Sequence, residues 1–220
     1  MITSNNYDKE KQHLQFNTDM NLNLANAIRR SVLEIPVMAI DDLEITKNDS
    51  ALYDEILAHR IGLIPIKGGA NKELKLKLQV KGPKIVVSGD FSPSTGAEDN
   101  LPIVLLDKDQ EVEVVGEARL GKGVDHIKYS PGLMFYRHNL AREILDYLHI
   151  DEDGKTSYDE EEMKNKGLSD DQISKIKAAK ETLELEIKLE SWGQMDVKDI
   201  FTKAIDALSD NLKVLDKSVK

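Results

Sequence analysis

Cysteine is absent from the 220 residues of this chain. Without thiolates the chain can form neither a disulfide nor a cysteine-ligated zinc site, and an iron–sulfur cluster would have no cysteine ligands. The five histidines are scattered, and no two of them stand at the spacing of metal ligands. We therefore expect no cofactor, and the absence of thiols is compatible with a reducing cytoplasm.

Long apolar runs and an excess of basic residues are also missing. No stretch approaches the roughly 20 apolar residues of a membrane span, and the polar residues 1–13 do not resemble a signal peptide. The formal net charge is -10, whereas a protein that binds nucleic acid over its whole surface needs cations to displace the phosphate counterions. We expect a cytoplasmic protein that makes no specific contact with DNA.

Motifs of nucleophilic, zinc-dependent or nucleotide-dependent catalysis are not found in the sequence. Asp41 and Asp42 could pair for acid–base chemistry, but neighbouring residues of a strand point to opposite faces. The glycine-rich segment 119–131 carries several basic side chains and could form a phosphate-binding nest. It lacks the arrangement of a Walker loop, however, so we interpret it as a connection between a sheet and a helix. We expect no catalytic residue in this chain.

Helical periodicity begins at residue 22. Apolar residues recur at spacings of three and four, as on one helix face, at Leu22, Ala25, Ile28, Val32 and Ile35. Thr18 and Asp19 are the candidate N-caps, and Pro36 ends the helix because the residue before a proline avoids the α conformation. A strand is predicted at 37–46, and a second helix at 52–61.

The middle of the chain predicts short strands. Residues 73–80 alternate leucine or valine with polar side chains, and further strand-like segments at 84–88, 103–106 and 111–118 are separated by polar turns. This pattern is typical of an antiparallel sheet with one solvated face.

Further helices are predicted in the last third of the chain. Residues 133–150 and 169–183 show helical patterns, the second with Ser169 as its N-cap. Alternation at 12–17 and 182–189 predicts two more strands. The strongest helix spans 197–215, and its apolar stripe consists of Val197, Ile200, Phe201, Ala204, Ile205, Leu208, Leu212 and Leu215.

The first and last of these helices carry more apolar surface than one core-facing stripe requires. Leu24 and Leu33 lie off the stripe of the first helix, and Ala207 and Val214 lie off the stripe of the last. A helix that is apolar beyond one face lies deep in a large protein or against another chain. Because 220 residues enclose little interior, the pattern predicts contact with another chain.

An acidic segment between the helices fits a calcium loop only in part. Asp151, Asp153 and Glu160 occupy the third, fifth and twelfth places of an EF-hand loop, but His149 stands where an aspartate is normal. A single degenerate loop is more often a solvated turn. Calcium binding at these three carboxylates therefore remains a weak alternative.

One long stretch resembles a known family. The string NAIRRSVLEIPVMAID, followed by LAHRIGLIPI, is similar to the α-like subunits of archaeal and eukaryotic RNA polymerases, and most of all to the archaeal D-type subunits. The likeness runs over more than forty consecutive positions without a gap. A second block, ARLGKGVDHIKYSP, also resembles the family, with Tyr129 where tryptophan is common. The bacterial α subunit has a similar helix but lacks the HRIGLIPI continuation.

The resemblance implies an α+β fold in which the two chain ends form one discontinuous domain. In the family, two helices lie on a small antiparallel sheet and pack against the same pair of a partner. The implied domains are 1–44 with 178–220 for dimerisation, a β-rich insert at 45–132, and a helical insertion at 133–177. Many archaeal members carry iron–sulfur clusters in this last position, which a chain without cysteine does not share.

The resemblance also implies the function: a non-catalytic assembly subunit of a DNA-directed RNA polymerase. Such a subunit forms a heterodimer with the small α-like subunit L and, aided by subunit N, a platform for the large catalytic subunits. Arg29 and Arg30 would touch a large subunit. The expected partner interface consists of Leu24, Ile28, Arg29, Arg30, Val32, Leu33, Ile200, Phe201, Ala204, Ile205, Leu208 and Leu212. A homodimeric scaffold of the bacterial α type and a calcium-binding regulatory protein are the alternatives.

Overall fold

The computed structural model describes residues 2–68, 74–138, 148–150, 156–158, 160–179 and 184–219. In chain order its elements are β1 (Ile2–Asp8), β2 (His13–Thr18), α1 (Leu22–Ser31), β3 (Val37–Asn48), α2 (Asp54–Gly62), β4 (Leu74–Lys81), β5 (Lys84–Val87), β6 (Pro102–Leu106), β7 (Glu111–Gly121), β8 (Gly132–His138), β9 (Leu148–Ile150), β10 (Thr156–Tyr158), α3 (Glu160–Asn165), α4 (Asp170–Ala179), β11 (Leu185–Ser191) and α5 (Val197–Val219). The fold is α+β, as the sequence predicts.

A four-stranded antiparallel sheet joins the two ends of the chain in the order β1-β2-β11-β8. Phe16 lies opposite Ile187, and Leu14 lies opposite Leu189. These four side chains are buried and face the helices α1 and α5, which cover one side of the sheet. The first strand, β1, belongs to a segment in which the sequence analysis predicts no element.

The predicted helix at 133–150 is wrong at both described ends, because Gly132–His138 and Leu148–Ile150 are strands. Residues 139–147 of that prediction lie outside the described residues. In β8, Met134 is buried whereas Leu133 and Phe135 are exposed, which is the alternation of a strand. A short apolar run fits either pattern, and pairing with β11, about fifty residues away in sequence, decides it here. The strand prediction at 182–189 corresponds to β11.

The N-cap of α1 is also corrected. Asn21, and neither Thr18 nor Asp19, occupies the cap position, and its side-chain oxygen accepts a hydrogen bond of 2.8 Å from the amide of Asn23. Thr18 is still part of β2, where its backbone pairs across the sheet. The helix ends at Ser31, and the 3-10 turn Val32–Glu34 follows it, so the helical conformation stops two residues before Pro36.

The β-rich middle forms a second structural unit, with an antiparallel sheet in the order β3-β7-β4 and a two-stranded ribbon of β5 and β6. Its core includes Leu57 and Ile61 from α2 and the inward residues of β4 and β7. Arg60 fixes α2 to the ribbon, because its guanidinium donates hydrogen bonds to the carbonyls of Ile103 (2.6 Å) and Pro102 (2.9 Å). The predicted antiparallel pairing is confirmed, although the strands are divided between this sheet and the ribbon instead of forming one sheet.

One strand, β3, connects the two units. Val37 and Ala39 pack in the core under α1 and α5, whereas Met38 and Ile40 pack in the β-rich core. All four residues are at most 3% exposed. Successive side chains of a strand point to opposite faces, so one strand can serve two cores. The predicted domain boundary after residue 44 therefore falls inside β3.

The region of the predicted helical insertion contains both strands and helices. β9 and β10 pair as an antiparallel hairpin, and α3 and α4 follow, with Met163 and Ile173 buried. Ser169 caps α4 as predicted, because its hydroxyl accepts from the amide of Gln172 at 3.3 Å. Along the described ranges, no helix is long and apolar enough to cross a membrane.

The structure describes only part of the predicted calcium loop. Asp151 and Asp153 lie outside the described residues, and Glu160 begins α3. His149, at the first place of the predicted loop, lies in the strand β9, which pairs with β10. Residues 139–147, before this strand, lie outside the described residues.

Candidate partner interface

The first and last helices lie side by side on the four-stranded sheet. α1 and its 3-10 extension contact α5 along the sheet's covered face. Phe201 of α5 packs edge-on against Phe16 of β2, with 5.2 Å between the ring centroids. The sheet thus brings together two elements that are separated by more than 160 residues in sequence.

Hydrogen bonds fix the start of α5 to the turn between β1 and β2. Asp196 caps the helix by accepting from the amide of Lys198 at 2.9 Å, and Tyr7 donates to the same carboxylate at 2.8 Å. Gln12 accepts from the amide of Val197 at 3.1 Å. The hydrogen bond from the Lys198 amide, with help from that of Tyr7, lowers the pKa of Asp196. These hydrogen bonds therefore hold the first turn of α5 against the hairpin of β1 and β2.

Four of the predicted interface residues are buried in the chain's own core. Ile28 and Val32 on the α1 side and Ile200 and Ala204 on α5 are at most 3% exposed. They pack in one core with side chains of the sheet and of both helices. These four residues therefore pack between the helix pair and the sheet, and their contact with a partner stays a prediction.

The other eight predicted residues reach the surface to different degrees. Leu24, Arg30, Ile205 and Leu212 are exposed, and Arg29, Leu33, Phe201 and Leu208 are half-buried. Arg29 donates two hydrogen bonds, of 3.2 and 3.0 Å, to the side-chain oxygen of Asn26. Leu22, which the sequence analysis places on the core-facing stripe, is 46% exposed together with Leu24.

From Ile205 to its end, α5 carries exposed apolar side chains. We define as the C-terminal stripe the surface formed by Ile205, Leu212, Leu215 and Val219, which are 41%, 56%, 59% and 80% exposed. Their spacings of seven, three and four residues place them on one helix face. Upstream the same face carries Val197 and Ala204, which are completely buried. The same helix face is therefore buried in the chain's own core at its start and exposed to solvent along the stripe.

The stripe extends further than the sequence indicates. The predicted helix ends at residue 215, whereas α5 continues to Val219. Every residue from 209 to 219 is exposed, so Leu215 and Val219 belong to the surface although neither is among the predicted interface residues. The apolar spacing at Val219 is the signal that could have identified it.

The carboxylate pair at Asp41 and Asp42 has a structural role. A β-bulge interrupts the pairing of β3 with β7 at this point, and a bulge turns a side chain away from strict alternation. Both carboxylates consequently approach Arg119, at 3.6 and 2.6 Å. The expectation that the two point to opposite faces is wrong for this reason.

Asp41 also holds the segment that leads into β8. It accepts hydrogen bonds from Lys128 at 2.7 Å and from the hydroxyl of Tyr129 at 2.9 Å. The hydrogen bond from Lys128, reinforced by that from Tyr129, lowers the pKa of Asp41. Burial and the neighbouring carboxylate raise the pKa of Tyr129 to about 12.

The basic side chains of the glycine-rich segment are engaged in ion pairs. Lys122 lies 3.0 Å from Glu34, and Lys128 and Arg119 pair with Asp41 and Asp42. The segment connects β7 to the strand β8, where the sequence predicts a connection to a helix. The described ranges contain no group of three or more side chains placed to hold a metal ion.

Two helices from opposite ends of a chain, adjacent on one antiparallel sheet and carrying an uncovered apolar stripe, define the class of α+β dimerisation domains. The comparisons with known proteins give the family. The chain belongs to the family of the RNA polymerase Rpb3/Rpb11 dimerisation domain, which matches residues 16–212. This finding confirms the resemblance that the sequence motifs indicate.

The relatives agree with this assignment. DNA-directed RNA polymerase subunit Rpo3 of Halobacterium salinarum is 30% identical in an alignment that covers 89% of this chain and 88% of the relative. The Rpo3 subunit of Methanocaldococcus jannaschii is 40% identical, over 56% of this chain and 68% of the relative. That of Thermococcus kodakarensis is 37% identical over 148 residues, and the match spans 57% of its length.

Proposed function

We propose that the chain is a non-catalytic assembly subunit of a DNA-directed RNA polymerase. It forms a heterodimer with the small α-like subunit L, and the pair is the platform on which the large catalytic subunits assemble with the help of subunit N. Catalysis belongs to other chains of the complex. The protein acts in the cytoplasm without a cofactor of its own.

The observation that carries this proposal is the C-terminal stripe. Ile205, Leu212, Leu215 and Val219 expose roughly half of their surface or more. Covering four such side chains contributes on the order of 5 kcal/mol, if full burial of each contributes about 1.5–3 kcal/mol. Association itself costs several kcal/mol, so the stripe alone contributes little net affinity. The exposed leucines in the first turn of α1, Leu22 and Leu24, are therefore part of the same interface.

The domain division is also a proposal, with one change from the sequence. Residues 1–44 and 178–220 form the dimerisation domain, and 45–132 form the β-rich insert. Residues 133–138 join the dimerisation domain because β8 pairs with β11 in the same sheet. The insertion then begins after residue 138 and extends to about 177.

Coexpression with subunit L from the same genome tests the proposal. We expect the two chains to elute together with a light-scattering mass equal to one copy of each. The chain on its own should aggregate or associate in a concentration-dependent way, because the stripe remains uncovered. A stable homodimer that takes up no subunit L would instead support the alternative of a homodimeric α-type scaffold.

A further inference from the structure

The hairpin of β1 and β2 is in contact with both helices of the proposed interface. At one end, β2 leads through residues 19–21 into α1. At the other end, the turn between the two strands is hydrogen-bonded to the first turn of α5. Between these points, Phe16 of β2 packs against Phe201 of α5. The hairpin therefore joins the two helices, although none of the predicted interface residues belongs to it.

Gln12, the last residue of the turn, supplies a hydrogen bond that α5 cannot make for itself. The first four backbone amides of a helix have no carbonyl acceptor within the helix. The side-chain oxygen of Gln12 accepts from one of these amides, that of Val197, over a sequence separation of 185 residues. Asp196 accepts from the next amide, that of Lys198. A residue near the start of the chain therefore shares the N-terminal capping of α5.

The backbone conformation of Gln12 is unfavourable for glutamine. Its φ angle of +53° lies in the left-handed region, which glycine and asparagine favour in hairpin turns. The carbonyl of Gln12 accepts from the amide of Ser191 at 3.1 Å, and its side-chain nitrogen donates to the carbonyl of Lys9 at 2.9 Å. A strained backbone that its surroundings hold in place points to a specific role. The side chain, which glycine would lack, is what this position provides to α5.

Tyr7 fixes the same helix start from the other strand of the hairpin. Its hydroxyl donates to one carboxylate oxygen of Asp196, and the amide of Lys198 donates to the other oxygen. The ammonium group of Lys198 lies 3.8 Å from the centroid of the Tyr7 ring, and the ring face attracts a cation in this arrangement. Both oxygens of the capping carboxylate are therefore used, one within α5 and one by the hairpin.

These directional contacts matter because only the first part of α5 rests on the core. Val197, Ile200 and Ala204 are buried, but every residue from 209 to 219 is exposed. Apolar packing is non-directional, so it holds α5 onto the sheet without fixing its tilt. Val219 lies about 33 Å from Val197 along the helix, so a tilt of about 10° moves the end of the stripe by about 6 Å. Such a displacement exceeds the reach of an apolar contact, which is about 4 Å.

We propose that the hairpin of β1 and β2 is a clamp that positions α5 for its partner, with Gln12 and Tyr7 as the positioning residues. The clamp raises the affinity by fixing the C-terminal stripe before binding, because a preorganised surface loses less conformational entropy on association. This inference rests on the proposed function, in which subunit L covers the stripe. It adds that part of the affinity depends on residues outside the predicted interface.

The first measurement is the position of α5 in the free chain. Because the sequence has no cysteine, spin labels attach only to introduced cysteines. Lys217→Cys labels the end of α5, and Phe135→Cys labels the exposed face of the sheet. Electron–electron double resonance, with labelled chain diluted in unlabelled chain, gives the distance distribution between the labels. Gln12→Gly and Tyr7→Phe should each broaden this distribution by several ångströms, whereas an unchanged distribution in both variants would overturn the proposal.

The second measurement separates positioning from stability. Titration calorimetry gives the Kd for subunit L, and thermal unfolding gives the Tm of the free chain. Gln12→Gly should weaken binding about fivefold, which corresponds to one hydrogen bond. Its Tm should change little, because the loss of the cap is offset by glycine's preference for a left-handed backbone. Tyr7→Phe should weaken binding to a similar extent, since the ring remains and only the hydroxyl is lost.

The matched control is Gln15→Ala. Gln15 lies in β2 and donates to Glu186 of β11 at 2.6 Å, so this substitution removes a hydrogen bond of the hairpin that does not involve α5. It should lower the Tm and leave both the affinity and the distance distribution unchanged.

A loss of affinity that follows the loss of Tm in all three variants, Gln15→Ala included, would show a general effect on stability and overturn the proposal. Unchanged affinity in both Gln12→Gly and Tyr7→Phe would also overturn it. If the unsubstituted chain bound no subunit L, the proposed function would be wrong. A broadened distance distribution in the free chain would then still support the clamp, and an unchanged one would overturn it.

Discussion

At the residue scale, Asp41 shows how one carboxylate can hold two segments of the chain together. The carboxylate is 34% exposed, and it joins β3 to the segment before β8 through Lys128 and Tyr129. Tyr129 is 7% exposed, and its ring lies against the backbone of Gly121, where an added methyl group would come within 2.6 Å of the ring. Charge-assisted hydrogen bonds of this kind are stronger than neutral ones.

We predict that Asp41→Asn lowers the free energy of unfolding by about 1 kcal/mol at pH 7, because two hydrogen bonds lose their anionic acceptor in a partly solvated site. The folded pKa of Asp41 is lowered, so its contribution is present above the ordinary carboxyl value of 3.8 and is lost as the pH falls through the lowered value. Urea unfolding at pH 7 and near pH 3 measures the difference.

The matched control for this prediction is Asp125→Asn. Asp125 is exposed in the same segment, and no hydrogen bond to its side chain is found among the described residues. Its replacement should change the free energy of unfolding little at either pH. Equal effects of the two substitutions would show that Asp41 acts through general charge and not through Lys128 and Tyr129.

At the element scale, α5 lies in two environments along one face. Its first two turns complete the core above the sheet, where Val197, Ile200 and Ala204 are fully buried. The residues from 209 onwards extend this face into solvent for several turns. Phe201 lies at the transition, with its ring against Phe16. A substitution at Phe201 would therefore disturb folding and partner binding together, which makes the exposed half the better place for a test.

Leu212→Asp combined with Leu215→Asp should weaken binding of subunit L at least thirtyfold, because two apolar contacts are lost and two charges are placed in the interface. The melting temperature of the chain should change little, since both leucines are more than half exposed. Titration calorimetry and thermal unfolding measure the two quantities. Val214→Asp, on a different face of α5 and 64% exposed, is the control. If Val214→Asp weakened binding equally, the stripe would not be the interface.

At the scale of the whole molecule, the four-stranded sheet and the β-rich unit are joined through β3, whose side chains enter both cores. The proposed insertion leaves the four-stranded sheet at His138 and returns at Leu185, and these two residues lie directly opposite each other in the sheet. The insertion therefore leaves and re-enters the sheet at adjacent positions.

This geometry makes the insertion removable. Replacing residues 139–184 with Asn-Gly should convert β8 and β11 into an ordinary hairpin, because a two-residue turn with these residues joins antiparallel strands. We expect the shortened chain to fold and to bind subunit L as the full chain does, measured by thermal unfolding and calorimetry. A six-residue Gly-Ser replacement should behave in the same way. A shortened chain that fails to fold with either connection would show that the insertion is part of the dimerisation core.

Regular patterns made much of the fold predictable from the sequence. The alternation at 73–80 and 111–118 and the three-and-four spacing of the last helix each have one structural solution over a long window. They correspond to β4, β7 and α5. The strand β8 could not be predicted in the same way, because Leu133 to His138 has too few residues to separate a strand from a helix.

The sequence by itself determined the helix pair, the antiparallel middle and the family, since these depend on local periodicity and on long uninterrupted motifs. The tertiary structure alone decided which apolar residues remain available to a partner. Ile28 and Ile200 are as apolar as Leu24 and Leu212, yet the first two are buried by the chain's own sheet and the other two are exposed. Burial depends on what packs against a residue, and that is a property of contacts between distant segments.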